Sequence, residues 1–251
     1  RLMRRFFVAS SLLLNDEVLI TGELEHYLSD VLRLKIGSVI ELTDGEHELC
    51  TVRLTEFASA KIKGEIIERK AFLLKDEPEI YLYQGLPKGD KLDFIVQKCT
   101  ELGVSGIIPV EMPRSIVKLS KDKAEKKKTR LEKIALEAAQ QSKQDSVPKI
   151  GDILSWQEFL ASLSGENDLT LVLWEEENAL GLKEALTSCP LNGRINLIIG
   201  PEGGMGAAEV AELREKGAVS VSLGKRILRT ETAPIAAVAV ISYHYGILGC
   251  V

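Results

Sequence analysis

The N-terminal part of the chain alternates apolar and polar positions in short runs, which is typical of β-strands that bury one face. One segment differs, because leucine and valine recur at helical spacing and predict a helix over residues 23–34. The dipeptide Asp44-Gly45 is a strong hairpin signal. Strands are predicted over residues 6–14, 39–42, 50–54 and 61–67. These features together predict a small β-barrel-like domain at residues 1–74.

After the charged, proline-ended stretch 75–78, which we interpret as a linker, strand-like and helix-like runs alternate to the end of the chain. Strands are predicted over residues 80–84, 106–110, 169–174, 195–199 and 218–223. Helices are predicted over residues 90–102, 180–186 and 207–216, with a long basic helix that ends near residue 141. Short apolar strands separated by helices indicate a mostly parallel sheet covered on both faces. Residues 78–251 are therefore predicted to be an α/β domain.

The last segment, residues 232–248, is apolar on nearly every side. A helix of this kind is buried, spans a membrane or packs against a second subunit. Pro234 falls in its first turn, where proline is tolerated, and Thr230 or Thr232 can cap it. The segment is shorter than the roughly 20 apolar residues of a membrane span. We expect it to combine core packing with a dimer interface, with no membrane contact.

Composition and charge exclude several classes of protein. The chain of 251 residues is 45% hydrophobic and 27% charged, as in ordinary globular proteins, and its net charge of −5 argues against general polyanion binding. Positive charge is nevertheless dense between Arg114 and Lys133, with nine Lys or Arg against three Asp or Glu. That run is either a solvated helix face or a local contact for RNA.

Cysteine and histidine usage predicts a reduced, metal-free, cytoplasmic protein. The four cysteines and three histidines are scattered, and no C-x-x-C pair occurs. The basic start and the apolar run 6–14 are similar to a secretory signal, but Ser10 and Ser11 interrupt the run and no small-x-small cleavage site follows. We therefore interpret this run as a strand of the first domain.

A glycine-rich loop, residues 199–206 (IGPEGGMG), directly follows a predicted strand, where α/β proteins bind ligands. Its glycines allow a sharp turn and a close backbone approach, and they leave amide N–H groups free to donate. Both common phosphate motifs are incomplete, and Glu202 would repel a pyrophosphate. A neutral or cationic ligand suits the loop better. A plain tight turn is the alternative.

A second loop, residues 223–233 (LGKRILRTETA), joins a predicted strand to the last helix and carries three cations. Arg226 and Arg229 are three positions apart and can bind an RNA phosphate or a base edge. Such a cluster taken alone is typical of ordinary surface charge. Its value as a site indicator comes from its position, one strand after the glycine loop.

The two loops together resemble those of the knotted SPOUT methyltransferases and, more narrowly, of the RsmE family. Weaker matches run in the same order along nearly the whole chain. They comprise Arg5-Phe6-Phe7, His26, Val31-Leu32-Arg33, Asp44-Gly45, Lys88-Gly89-Asp90-Lys91, residues 98–103 and Arg114-Ser115. The resemblance implies an S-adenosyl-L-methionine-dependent enzyme that methylates N3 of a uridine in 16S ribosomal RNA of the small ribosomal subunit. It also implies a PUA-like RNA-binding barrel, a deep trefoil knot at about residues 169–251 and a homodimer.

The resemblance also implies site residues. Those expected at the cofactor are Leu173, Trp174, Ile199, Gly200, Pro201, Glu202, Gly203, Gly204, Leu223, Gly224, Arg226, Ile227, Leu228, Arg229, Thr230 and Ala233. For RNA contacts we expect Arg4, Arg5, Arg33, Lys35, Arg114, Lys118 and Lys143. At one place the chain departs from the family, which has Glu-Gln-(Ser/Cys)-x-Arg where residues 140–144 are Gln-Gln-Ser-Lys-Gln. The contacts usually made there are in doubt, and Lys143 can replace the arginine charge.

Methylation at N3 of uridine requires loss of a proton, so a base or a cation that stabilises the uridine anion is needed. Neither loop contains a histidine. Our hypothesis is that Arg229, with Arg226, stabilises the anion, while Glu202 orients the cofactor or the loop. The alternatives are a non-catalytic RNA-binding or ribosome-assembly protein that keeps the same fold, and a plain nucleotide-binding α/β protein.

Overall fold

A computed structural model describes residues 3–72, 77–163, 168–188 and 193–249. The chain forms two compact units, one made of Arg1–Lys75 with Ala139–Val147 and the other of Asp76–Ala138 with Pro148–Val251. The predicted linker at 75–78 lies in part outside the described residues. Unlike the predicted first domain, the first unit includes the segment Ala139–Val147, which follows from side-chain contacts described below.

The first unit contains a five-stranded mixed sheet. Its strands are β1 (Arg5–Phe7), β2 (Glu17–Thr21), β3 (Val39–Thr43), β4 (Glu48–Ala58) and β5 (Lys61–Ala71). They lie in the order β1-β3-β4-β5-β2, with β1 parallel to β3 and the other pairs antiparallel. Alternate residues face the core, as in β2, where Val18 and Ile20 are buried between exposed neighbours. Each such side chain contributes roughly 1.5–3 kcal/mol by its burial.

Two predictions for the first unit are wrong in detail. The predicted strand 6–14 ends at Phe7, and Ser10–Leu13 forms a 3₁₀ turn that buries Leu13. That apolar run does not alternate, and the two serines favour a turn over a strand. The predicted helix 23–34 is shorter in the structure. The α-helix α1 (Gly22–His26) continues as one π-helical turn, Tyr27–Val31, and the helical segment ends there.

The second unit contains a sheet whose described strands are all parallel. They are β6 (Ile80–Gly85), β7 (Gly106–Glu111), β8 (Lys149–Ile150), β9 (Leu154–Ser155), β10 (Leu169–Leu173), β11 (Ile195–Ile199) and β12 (Val219–Val221). The order is β12-β10-β11-β6-β7-β8, with β9 also paired to β7. Every residue of β11 is buried, as expected for a central strand covered on both faces. The predicted parallel α/β fold is confirmed.

Six helices begin within the described part of the second unit. They are α2 (Lys91–Glu101), α3 (Lys121–Ser142), α4 (Trp156–Ser162), α5 (Leu182–Ser188), α6 (Ala207–Glu215) and α7 (Thr232–His244). The sequence prediction missed β8, β9 and α4, although Ser155 and Glu158 form a capping box at the start of α4. That S-x-x-E signal was present in the sequence.

Helix α7 ends at His244, earlier than predicted, because the backbone turns through Gly246 at a φ of +73°. One side of the helix is buried, including Ala237, Val238 and Ile241. The other side leaves Val240 and Tyr243 exposed at 44% and 71%. None of the described helices has the length and apolar character needed to cross a membrane.

Candidate active site

The candidate site lies at one edge of the second unit's sheet, where parallel strands end side by side. The strands β12, β10, β11 and β6 are neighbours, so the segments after them start from the same edge. These segments include the glycine loop (residues 199–206) after β11 and the second predicted loop (residues 223–233, hereafter the arginine loop) after β12. Trp174 follows β10, and the segment 86–90 joins β6 to α2. The two loops singled out by sequence therefore meet at one place.

A buried hydrogen-bond network joins these loops. The Thr230 hydroxyl donates to the Gly200 carbonyl oxygen at 2.7 Å, and the Gln84 amide Nε2 donates to the Thr230 oxygen at 3.1 Å. Gln84 also donates to the Gly85 carbonyl at 3.0 Å. Gln84 is fully buried and Thr230 is 7% exposed, so these bonds are shielded from water. The network fastens the arginine loop to the glycine loop and to the end of β6.

The expectation that a threonine side chain caps α7 is wrong. Neither Thr230 nor Thr232 caps that helix, since no side-chain capping bond is present at its start. The Arg229 carbonyl oxygen instead accepts from the N–H groups of Thr232 and Ala233, at 2.9 Å each. Thr230 is occupied in the core, where its hydroxyl satisfies a buried carbonyl.

The glycine loop is packed so closely that larger residues do not fit. Gly204 has a φ of +65°, and a Cβ built there would lie 2.8 Å from Glu175 Oε1. A Cβ on Gly85 would lie 2.6 Å from the Pro201 nitrogen, so the end of β6 and the loop are almost in backbone contact. The backbone of the loop therefore lies close to the end of β6 and to Glu175.

Polar contacts fix the second half of the glycine loop. The Trp174 indole N–H donates to the Met205 carbonyl at 3.1 Å, and Glu209 accepts from the Gly206 N–H at 2.7 Å. Arg114 donates to the Gly203 carbonyl at 3.3 Å, and its Nε lies 3.6 Å from Glu209 Oε2. Arg114, predicted as an RNA contact, therefore lies against the glycine loop itself.

Glu202 ties the glycine loop to the segment after β6. Its Oε1 accepts from the Lys88 N–H at 3.0 Å and lies 3.1 Å from Lys91 Nζ. Burial alone would raise the pKa of Glu202, but the bonds from Lys88 and Lys91 outweigh it and lower the pKa below its usual value. Lys91 Nζ also lies 3.3 Å from Glu231 Oε2. These contacts fit anchoring of the loop, one of the two roles considered for Glu202.

The arginine loop presents its cations to solvent. Arg226 is exposed, and the Arg229 side chain is 83% exposed, with Nη1 4.0 Å from Glu231 Oε1. Ile227, between them, is 82% exposed although it is apolar. The remaining predicted cofactor residues lie at the strand ends and in the loops. Buried among them are Ile199, Pro201 and Thr230, and exposed are Gly203 and Gly224. The partly buried residues are Leu173, Trp174, Gly204, Leu223, Leu228 and Ala233.

The predicted RNA-binding residues have different surroundings. In the first unit Arg4, Arg33 and Lys35 are exposed, whereas Arg5 is only 8% exposed. Arg5 pairs with Glu41 at 3.0 Å and with Asp145 at 3.1 Å, and it donates to the carbonyls of Lys143 and Gln144. These bonds explain why Ala139–Val147 belongs to the first unit, and they leave Arg5 occupied within the protein, where an RNA phosphate cannot reach its guanidinium.

Lys143 and Lys118 complete the predicted set. Lys143 Nζ lies 3.9 Å from Glu41 Oε1, so its charge is directed to the same carboxylate that Arg5 holds. Lys118, in the second unit, is exposed. No cluster of three or more metal-ligating side chains occurs within the part of the chain that the structure describes.

Several residues of the site carry no sequence signal that points to their role. Gln84 and Lys91 contact both loops, Glu175 and Glu209 lie against the glycine loop, and Glu231 belongs to the arginine loop, yet each is a single polar residue in an ordinary context. Only the Lys88-to-Lys91 match to the known family pointed to that segment, without giving a role to either lysine.

Comparison with known proteins identifies the family of this chain. A family model described as an RNA methyltransferase domain matches residues 75–242. The ribosomal RNA small subunit methyltransferase E of Bacillus subtilis is 39% identical over 233 residues, which cover 91% of each chain. The protein of the same name from Synechocystis is 33% identical over 95% of this chain and 77% of its own.

Solved structures give the same result. The crystal structure of the ribosomal RNA small subunit methyltransferase E from Neisseria gonorrhoeae, bound to S-adenosyl methionine, superposes with a TM-score of 0.86 at 31% identity. The match covers 97% of this chain and 98% of that one. The chain therefore belongs to the ribosomal RNA small subunit methyltransferase E family of RNA methyltransferases.

Proposed function

We propose that the protein transfers a methyl group from S-adenosyl-L-methionine to N3 of a uridine in 16S ribosomal RNA of the small ribosomal subunit. The observation that carries this proposal is the buried bond from Thr230 to Gly200, which fastens a glycine loop to a loop with two exposed arginines. The family supplies the reaction class, and the relative from Neisseria gonorrhoeae was solved with the same cofactor.

The residues of the site fit this cofactor. S-adenosylmethionine supplies an electrophilic methyl group on a cationic sulfonium, and it also carries an ammonium group. Glu175 beside Gly204 adds negative charge, as a cationic ligand needs, and the glycine loop lacks the lysine of a phosphate loop. Gln84 Oε1 is buried with no hydrogen-bond partner among the described residues. Backbone groups of Gly200 to Gly204 and of the loop 223–228 would hold the cofactor, with exposed Ile227 available to an adenine ring.

The chain's contribution to the chemistry is to align the reactants and to stabilise charge. Arg229 projects from a loop that is anchored at the next residue, so its backbone is fixed while its side chain remains available. Its guanidinium stabilises the uridine anion that forms when the N3 proton passes to solvent water, and Arg226 adds positive charge nearby. Transfer of the methyl group to N3 would leave S-adenosylhomocysteine as the second product. Glu202 anchors the glycine loop through its contacts with Lys88 and Lys91.

Binding of RNA is proposed to use exposed cations on each unit. Arg4, Arg33 and Lys35 in the first unit, and Lys118 with the basic face of α3, would contact phosphates and position the RNA without reading its sequence. Arg5 does not take part in this binding, because its guanidinium is occupied within the protein. Arg114 supports the glycine loop through its bond to the Gly203 carbonyl. A ribosomal RNA substrate implies work in the cytoplasm.

Three finer features are part of the proposal. The strand order β12-β10-β11-β6 and the bonds from Gln84 to Gly200 after β11 and to Thr230 after β12 support a trefoil knot over about residues 169–251. The mixed sheet of the first unit supports a PUA-like RNA-binding barrel at residues 1–74, with a methyltransferase domain at 78–251. The exposed apolar side of α7, with Val240 and Tyr243, supports a homodimer.

The test is mass spectrometry of small-subunit ribosomal RNA incubated with the protein and S-adenosylmethionine. We expect a single added methyl group at N3 of a uridine. Arg229→Ala should abolish that product while cofactor affinity, measured by calorimetry, stays within about threefold. A protein that binds the RNA but has no affinity for the cofactor would be a non-catalytic RNA-binding module. Full activity of Arg229→Ala would refute the role of that arginine.

A further inference from the structure

Lys91, the first residue of α2, lies between two carboxylates from different loops. Its Nζ is 3.1 Å from Glu202 Oε1 and 3.3 Å from Glu231 Oε2. The side chain of Lys91 is 36% exposed, and those of Glu202 and Glu231 are 28% and 19% exposed. One ammonium group therefore holds the glycine loop and the start of α7 at the same time.

Glu231 has a second cation within reach. Arg229 Nη1 lies 4.0 Å from Glu231 Oε1, which is at the limit of an ion pair, while Lys91 is closer to the other oxygen. The Arg229 side chain remains 83% exposed, so Glu231 does not draw it onto the protein surface. A carboxylate that is mostly buried needs a counter-charge, and Lys91 supplies it.

We propose that Lys91 is a positioning residue for methyl transfer, because its pairing with Glu202 and Glu231 holds the two loops together and leaves Arg229 free to act on the substrate. The inference rests on the proposed function for its consequence in catalysis, but its structural part concerns only the protein. Without Lys91, Glu231 keeps Arg229 as its nearest cation. The guanidinium then folds toward Glu231 and is withdrawn from the position of the RNA base.

The test compares Lys91→Met with a matched control, Lys98→Met. Lys98 is on the same helix, is 34% exposed and is paired with Glu101 at 2.8 Å, but it contacts neither loop in the contacts described above. We expect Lys91→Met to lower the single-turnover methylation rate about tenfold. Cofactor affinity should change by less than about threefold, since the buried bond from Thr230 to Gly200 still joins the two loops and keeps their backbone in place. Lys98→Met should have the rate of the wild type.

Two further variants separate charge from packing. Lys91→Arg should keep most of the rate, because it retains the cation. Adding Glu231→Gln to Lys91→Met should restore at least about threefold of the lost rate, because the carboxylate that captures Arg229 is gone. A normal rate for Lys91→Met, or equal impairment of Lys91→Arg, would overturn the proposal.

Labelling of arginine with phenylglyoxal tests the same idea without catalysis. The intact folded protein is labelled for a short time and then digested, and the label at each arginine is measured by mass spectrometry of the peptides. In Lys91→Met the labelling rate of Arg229 should fall, while that of Arg226 on the same loop stays unchanged. Unaltered labelling of Arg229 would overturn the proposal even if methylation is lost. If the wild type does not methylate RNA, the proposed function fails, whereas slower labelling of Arg229 in the variant still supports the placement of Arg229 by Lys91.

Discussion

The Thr230 hydroxyl donates to the Gly200 carbonyl at 2.7 Å, which joins two loops that are 30 positions apart in sequence. Thr230→Val keeps the shape of the side chain but removes both the donor to Gly200 and the acceptor for Gln84. We expect a loss of about 1–3 kcal/mol in the free energy of unfolding, because the Gly200 carbonyl loses its closest donor and the Gln84 amide loses one of its buried acceptors. Chemical denaturation measures it.

The matched control for that change is Thr232→Val. Thr232 is exposed two residues later and makes no side-chain capping bond, so this variant should unfold like the wild type. Cofactor affinity should weaken in Thr230→Val alone. Equal stability of the two variants would show that the buried network adds nothing.

Gly204→Ala should impair cofactor binding more than stability alone explains. The φ of +65° costs an alanine about 1–2 kcal/mol, and the new methyl group would lie 2.8 Å from Glu175 Oε1. Gly217 provides the control, since its φ is +85° and no atom lies within 4 Å of the position of a new Cβ. Gly217→Ala should lose similar stability and keep its cofactor affinity in calorimetry. A similar loss of affinity in both variants would contradict a specific role of the loop.

Arg5 and Arg4 are adjacent in sequence but should respond oppositely to substitution. Arg5→Met removes the closer of the two cations beside Glu41, whose side chain is only 10% exposed, and also the donor to Asp145 and to two backbone carbonyls, so it should cost about 3–5 kcal/mol of stability. Arg4→Met should leave stability unchanged and reduce both RNA affinity and its dependence on salt, since an exposed phosphate contact is lost. Thermal unfolding and binding isotherms at several salt concentrations measure the two effects.

The stabilisation due to Glu202 should disappear in acid. Burial opposes ionisation, but bonds from Lys88 and Lys91 lower the pKa of this carboxyl in the folded state below the ordinary value of 4.5. Folding therefore favours the charged form, so the contribution is fully present above that value and is lost as the pH falls through the folded-state pKa. The difference in unfolding free energy between wild type and Glu202→Gln should be constant near neutrality and shrink below about pH 4.5. A difference that grows in acid would contradict this assignment.

The proposed dimer predicts an effect of Tyr243→Asp. Tyr243 is 71% exposed on the side of α7 that is not packed in the core, and a buried aspartate would oppose association. Sedimentation equilibrium should show a dissociation constant at least about tenfold higher than that of the wild type. Ile36→Asp, a change at a residue in the first unit that is 68% exposed, serves as the control and should remain dimeric.

Sequence patterns predicted the longer strands of the second unit well, because those strands are largely apolar on both faces. Residues 195–199 were predicted as a strand, and Ile195–Ile199 is fully buried in the structure. The run 6–14 was predicted less well, since a strand and a 3₁₀ turn can both bury leucine, and periodicity over so few residues does not separate them.

The candidate site was only partly predictable, because its polar partners come together only in three dimensions. Gln84 and Thr230 are 146 positions apart, and no local pattern connects them. Charge patterns also do not distinguish Arg5 from Arg4, although one is buried and the other exposed. The glycine loop could be predicted because four glycines in seven positions indicate a tight turn. The roles of Glu231 and Lys91 have no comparable sequence pattern.

The strand order of the second unit has a consequence for biosynthesis. Strand β6 is made early but pairs with β11, where Ile80 meets Ile195, so it waits for much of the chain to be translated. At about 5–20 residues per second this delay lasts several seconds or more. Thr230 and α7 emerge later still. The candidate site is therefore completed only after the segment through Ala233 has emerged from the ribosome, and a nascent chain that lacks this segment is expected to be unable to methylate RNA.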